Sequence, residues 1–284
     1  MMNRTVLALL LAGLLLGCSK KKEEPPDHPR LPQTTVLNDV TFHSGSLGRD
    51  MRYRVVLPKN IAAGQRLPLV MLLHGGGGDF RDWTNYTDVA LFAESGMILI
   101  MPEADDSYYT NSAEKLRDRY EDYIIKDIIE DVQIRFPVSE RRAIVGISMG
   151  GFGAVKLALR HPQMFVFAAG ISSALDVPSR RFSIKRPLQW RFHRSIFGPW
   201  NGQTQRDNDP FVLARSVDPK ETPYLFLTCG DQEGLLPTNR QFAKLLEERH
   251  FQYEFHVGAG GHNWNQWNNR LPAVFRRLSE HLRT

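Results

Sequence analysis

Cysteine is scarce in this chain: Cys18 and Cys229 are the only two in 284 residues, too few for a disulfide framework or a cysteine-built zinc site. No apolar run reaches the roughly 18 residues of a membrane-spanning helix, which excludes a polytopic membrane protein. Neither sign of charge dominates. The 36 Lys and Arg face 31 Asp and Glu, and the net +5 is dispersed along the chain, so nucleic acid is not an expected partner. No internal repeat of about 20 to 50 residues is visible. What remains is 42% hydrophobic and 24% charged, a composition that can bury a substantial core.

Residues 1–17 read as an export signal, with Arg4 ahead of the apolar stretch Val6 to Leu16. The string Leu15-Leu16-Gly17-Cys18 resembles the lipobox of bacterial lipoproteins. That resemblance implies a diacylglyceryl thioether on Cys18, a membrane anchored through it, and residence in the bacterial cell envelope, facing the periplasm or on the surface. The alternatives are an ordinary cleaved signal or a short anchor helix with a coincidental cysteine. Residues 18–34 are charged and proline-rich, poor in apolar side chains, and read as a disordered tether. Cys229 ends an apolar run and reads as a small buried hydrophobe rather than a nucleophile.

From about residue 35 to 284 the chain alternates short β-type runs with amphipathic stretches, the pattern of an α/β domain with a mostly parallel sheet. About eight strands are expected. Val36 to His43 and Met51 to Leu57 alternate as antiparallel edge strands do. Leu67 to Leu73, Met97 to Met101, Arg142 to Ile147, Phe165 to Gly170, Pro223 to Cys229 and Tyr253 to Val257 follow. Helices are predicted over Tyr120 to Phe136, Met149 to Arg160, Leu236 to His250 and Leu271 to Leu282. Residues 173–222 break the alternation with Pro178, Pro187, Pro199 and Pro210 and read as an irregular lid insertion. Arg180, Arg181, Lys185, Arg186, Arg191 and Arg194 surround Phe182, Trp190 and Phe192 there. Such a segment either binds an anionic substrate or glycan, or is a charged lid on its own aromatic core.

The chemistry gathers at strand ends. Gly146-Ile147-Ser148-Met149-Gly150 joins a predicted strand to a predicted helix, where a sharp turn lifts a serine hydroxyl out of the sheet. His74-Gly75-Gly76-Gly77-Gly78 follows the third strand, where a main chain free of side chains can approach a developing oxyanion. The amides of Gly76 and Met149 are the expected donors. A serine needs a base, and the base a carboxylate. His262, on the glycine-rich loop after the last strand, is the expected base; His256 lies within that strand. Asp231, just past the penultimate strand, is the expected acid, with Glu233 the alternative. Tyr108, Tyr109, Trp83 and Trp264 lie near these loops, and Tyr109 and Trp264 are the expected substrate contacts; the same aromatics could equally pack the loops.

The strings HGGGGDFRDW, SYYTNS, YEDYIIKD, GISMGGFGAVKLALRHP and GGHNWNQW, spread over about residues 40–284, resemble the esterase D family of α/β-hydrolases. That family includes S-formylglutathione hydrolases, feruloyl and acetyl esterases and the antigen 85 mycolyltransferases. The resemblance implies the α/β-hydrolase fold, hydrolysis of carboxylic esters without metal or organic cofactor, and Ser148, Asp231 and His262 at the triad positions. The export signal argues against the cytosolic formylglutathione substrate. Acyl transfer to a sugar or lipid acceptor is the rival within the same chemistry, and an inactive surface-binding lipoprotein the rival from another class. Acyl group, alcohol and oligomeric state are not legible.

Overall fold

The computed structural model describes residues 26–182 and 184–283. The export signal, Cys18 and the tether up to residue 25 lie outside the described residues. Among those described, eight strands form one sheet in the order β1-β2-β4-β3-β5-β6-β7-β8. They are β1 Thr35–Ser44, β2 Arg49–Pro58, β3 Leu67–Leu73, β4 Ile98–Pro102, β5 Val138–Ile147, β6 Phe167–Ile171, β7 Tyr224–Gly230 and β8 Tyr253–Gly258. β1 pairs antiparallel with β2, and β2 antiparallel with β4. All other pairings are parallel. This is the α/β-hydrolase fold.

The central strands read as continuous apolar runs because both faces of the sheet are covered. Leu69, Met71, Leu73 and Ile144 point into one apolar cluster. Val70, Leu72, Val145 and Ile147, offset by one residue, point into the other. After the short α1 (Asp82–Tyr86) and α2 (Tyr120–Asp122), the first face is covered by helices α3 (Ile128–Arg135), α4 (Met149–Arg160) and α8 (Leu236–Glu248), and the second by α9 (Trp264–Arg283). Helix α9 starts seven residues before the predicted Leu271 and carries Pro272 within it. Its buried stripe, Trp267, Leu271, Val274, Phe275, Leu278 and Leu282, continues through the proline. Burial of that stripe outweighs the one backbone hydrogen bond that proline removes.

The segment expected to be irregular is helical instead. Between β6 and β7 lie α5 (Pro187–Phe197), α6 (Gln203–Asp207) and α7 (Pro210–Ser216). Pro187 and Pro210 are first residues of helices, where a missing N–H costs nothing and a fixed φ helps. They start structure that they had seemed to break.

The tether also ends earlier than expected. Arg54, fully buried, donates to both carboxylate oxygens of Asp27, at 2.7 and 3.0 Å, and Arg30 donates its amide to Thr84 O at 2.9 Å. Residues 26–34 are therefore docked on the body, by polar contacts that a count of apolar residues does not see.

Candidate active site

Parallel strands β5, β6, β7 and β8 end on one edge of the sheet, and the site is assembled from the loops that leave them. Ser148 follows β5 directly and has φ 53° and ψ −113°, a backbone conformation that costs about 1–3 kcal/mol for a residue with a side chain. The turn is held by the Ser148 amide donating to Ile171 O at 2.9 Å and by the Ala174 amide donating to Ser148 O at 3.2 Å. It also brings main chain into contact with main chain. A Cβ on Gly146 would lie 2.0 Å from Gly150 O, and one on Gly150 2.2 Å from Leu73 O. Both flanking glycines are required by this packing. Helix α4 begins at the next residue and points its N-terminus at the hydroxyl, which favours negative charge there.

His262 reaches Ser148 from the loop after β8. Its Nε2 lies 3.0 Å from Ser148 Oγ, and its Nδ1 lies 2.7 Å from Glu233 Oε2. With Nδ1–H donating to the carboxylate, Nε2 is the free acceptor for the serine proton. Trp267 stands edge-on to the imidazole, 4.8 Å between ring centres.

Glu233, not Asp231, is the acid that meets His262. Asp231 is exposed, and its Oδ1 accepts from the Gly260 amide at 2.8 Å, tying together the loops after β7 and β8. Two residues further on, Glu233 folds back toward the strand end. Its side chain is buried, and Oε1 accepts from the Gly230 amide at 2.7 Å, Ser172 Oγ at 2.6 Å and Arg270 Nη1 at 3.3 Å. Burial alone would raise the carboxyl pKa. The hydrogen bonds from His262, Ser172 and Gly230, with the charge of His262, outweigh it and hold the group at about 2. It is ionised at any working pH.

Gly76 and Met149 lie side by side: a Cβ on Gly76 would be 4.0 Å from Met149 Cβ. The Gly77 amide is taken by Asp106 Oδ1 at 2.6 Å and the Gly78 amide by Gly75 O at 3.2 Å. Among the described residues, the amides of Gly76 and Met149 meet no protein acceptor. Asp82, beside this loop, has its carboxyl raised to about 6 by burial and by the neighbouring Asp79.

The two expected aromatic contacts separate. Trp264 lines a cleft of about 440 Å³ that also exposes Gly76, Tyr86, Ser148 and His262, and its ring stacks on Tyr86 at 5.2 Å. Tyr109 does not reach the cleft. It is fully buried, donates its hydroxyl to His74 O at 2.9 Å and accepts at its own carbonyl from Lys156 Nζ at 2.5 Å. It is a packing residue, as is the buried Trp83. Cys229 is buried, and burial, then the nearby Glu233, push its thiol up to about 12, which suits a hydrophobe and not a nucleophile.

Sequence reasoning missed Ser172, Arg270, Trp267 and Tyr86. Ser172 sits at φ 52° just past β6, takes Trp267 Nε1–H at 3.0 Å and gives its own proton to Glu233. No local motif marks any of the four, because they converge from three separate segments: the turn after β6, helix α9 and the short helix Asp82–Tyr86.

Fold and site together define a hydrolase of the serine esterase class. The sequence model of the Esterase family, described as "Putative esterase", matches residues 44–278, and the chain belongs to that family. It is a carboxylic ester hydrolase. The acetyl esterase of Caldicellulosiruptor saccharolyticus is 25% identical over 265 residues, covering 86% of this chain and 98% of the relative. The diacylglycerol acyltransferase/mycolyltransferase Ag85A of Mycobacterium leprae is 25% identical over 308 residues, covering 96% and 90%. Among solved structures, the fluorophosphonate-binding serine hydrolase FphF of Staphylococcus aureus superposes with a TM-score of 0.74 at 25% identity, over 87% of this chain and 98% of that one.

Proposed function

We propose that the protein cleaves carboxylic esters through an acyl-enzyme on Ser148, with His262 as general base and Glu233 as the carboxylate that orients it. The continuous hydrogen-bonded chain from Glu233 through His262 to Ser148 carries this reading. His262 Nε2 takes the proton as Ser148 Oγ attacks the ester carbonyl carbon. The negative charge on the carbonyl oxygen is met by the amides of Gly76 and Met149 at the head of α4. The intermediate collapses as His262 returns the proton to the departing alcohol oxygen, and water, activated by the same imidazole, releases the acid. Trp264 and Tyr86 form an apolar wall of the reacting cleft.

The similarity to Ag85A supports a second reading, in which a sugar or lipid hydroxyl replaces water in the last step. Adding candidate acceptor alcohols and analysing the products separates the two. The export signal and Cys18 support placement of the enzyme on the envelope through a lipid anchor.

The chemistry is tested with p-nitrophenyl acetate. Ser148→Ala is expected to keep the fold and lose turnover by about four orders of magnitude or more, and adding His262→Ala to cost little more, because the two act as one unit. Turnover by Ser148→Ala at the wild-type rate would overturn the assignment.

A further inference from the structure

A second groove, of about 530 Å³, also reaches His262 but is lined by neither Ser148 nor the glycine loop. Its walls include Arg180, Arg181, Arg186, Trp190 and His193. It shares four of these with an adjoining cavity of about 440 Å³ that adds Arg194 and Trp200. The charge is one-sided. Arg180 is paired with Asp176 at 2.8 Å, whereas Arg181, Arg186 and Arg194 have no carboxylate partner among the described residues. Two of them lie over indole rings instead, Arg181 over Trp200 at 5.2 Å and Arg194 over Trp190 at 5.7 Å. Phe182 is 59% exposed and Trp200 49%, so these rings are not a closed core under a charged shell. Burial, then the charge of Arg180, pushes the His193 imidazole down to about 4, leaving it neutral beside the Tyr108 hydroxyl at 3.2 Å.

Three guanidinium groups without a carboxylate partner, Arg181 and Arg186 on the groove and Arg194 on the adjoining cavity, focus positive potential where a ligand would lie. Their planar forks match carboxylate and phosphate oxygens two at a time. The position relative to His262 sets which half of a substrate belongs there. The acyl carbonyl must sit between Ser148 and the amides of Gly76 and Met149, in the other cleft. The alcohol leaves on the proton held by His262 Nε2, and His262 is the residue that lines both the cleft and this groove.

We propose that the Arg181, Arg186 and Arg194 groove is the recognition site for the alcohol half of the ester, and that this half carries a carboxylate or phosphate next to a ring that lies on Trp190. The assignment rests on the esterase reading of Ser148 and His262.

The test compares three monoacetylated methyl glycosides, a glucuronoside, a glucoside 6-phosphate and a neutral glucoside, with p-nitrophenyl acetate, an activated ester without carboxylate or phosphate, as the reporter of basal turnover. For wild type, kcat/KM for at least one anionic ester is expected to exceed that for the neutral one by about tenfold or more. The preference should shrink as salt is raised from about 0.05 M to about 0.5 M. In an Arg181→Gln, Arg186→Gln, Arg194→Gln triple variant the preference should vanish while p-nitrophenyl acetate turnover is unchanged. Which anion shows the preference identifies the group. Equal rates for charged and neutral esters, or a preference that survives the triple variant, would overturn the proposal. If the triple variant does not fold, Arg186→Gln and Arg194→Gln are read singly against the same criteria. Failure of wild type to turn over p-nitrophenyl acetate overturns the esterase reading instead. Calorimetric binding of the same glycosides to Ser148→Ala then decides the charge preference alone: tighter binding of an anionic glycoside supports the groove, and equal binding removes it.

Discussion

Glu233 Oε2 lies 2.7 Å from His262 Nδ1, while Asp231, two residues earlier, faces away and binds the Gly260 amide. Glu233→Gln would keep the shape of that contact but favour the tautomer in which Nδ1 accepts, leaving Nε2 protonated toward Ser148. The comparable change in a serine protease costs about 10⁴ in kcat, and a loss of that order is expected here. Asp231→Asn still accepts from Gly260 and should leave kcat/KM near wild type. Measuring both variants on p-nitrophenyl acetate checks the pair, and the reverse order of damage would return the acid to Asp231.

Asp82 gives the stability a pH dependence of defined sign. Its folded carboxyl is raised from the ordinary 3.8 to about 6, so between those values the native state holds a proton that the unfolded chain has lost. Stability therefore falls as pH rises through this window. Asp82→Asn removes the titration. Its Tm should exceed that of wild type by about 2–4 °C per kcal/mol recovered at pH 7.5, and the gap should close toward pH 4. Thermal melts at the two pH values measure it; a gap that widens toward acid would refute the sign.

Gly150 has no room for a side chain against β3. A methyl group there would lie 2.2 Å from Leu73 O and 2.6 Å from His74 O, both backbone atoms that cannot swing aside. Gly150→Ala is expected to cost about 3 kcal/mol, the upper range for overpacking, and to disturb the Ser148 turn. Denaturant unfolding and ester turnover should fall together, whereas Gly45→Ala, where nothing lies within 4 Å, should change neither appreciably.

The anchor is tested apart from the enzyme. Cys18→Ala in the full chain should abolish labelling by a clickable fatty acid and move the protein out of the membrane fraction, with ester turnover per molecule retained. An unlabelled wild-type chain, or a variant that stays on the membrane, would reject lipidation.

Features that depend on neighbours along the chain are legible in one dimension. Continuous apolar runs announced strands covered on both faces. The glycines around Ser148 announced a turn too tight for side chains, and the glycine run after His74 announced an approachable main chain. His262 was legible because it lies on the loop past the last strand. How far a side chain reaches across strands depends on packing in three dimensions. Asp231 and Glu233 both follow β7, and the choice between them fell to the Gly230 amide, Ser172 and Arg270, which fold the longer side chain inward. Tyr109 and Trp264 were equivalent aromatics until packing buried one under His74 and left the other on the cleft. Pro187 and Pro210 were breakers in one dimension and helix starts in three, because a proline stops the helix before it and favours the one it begins.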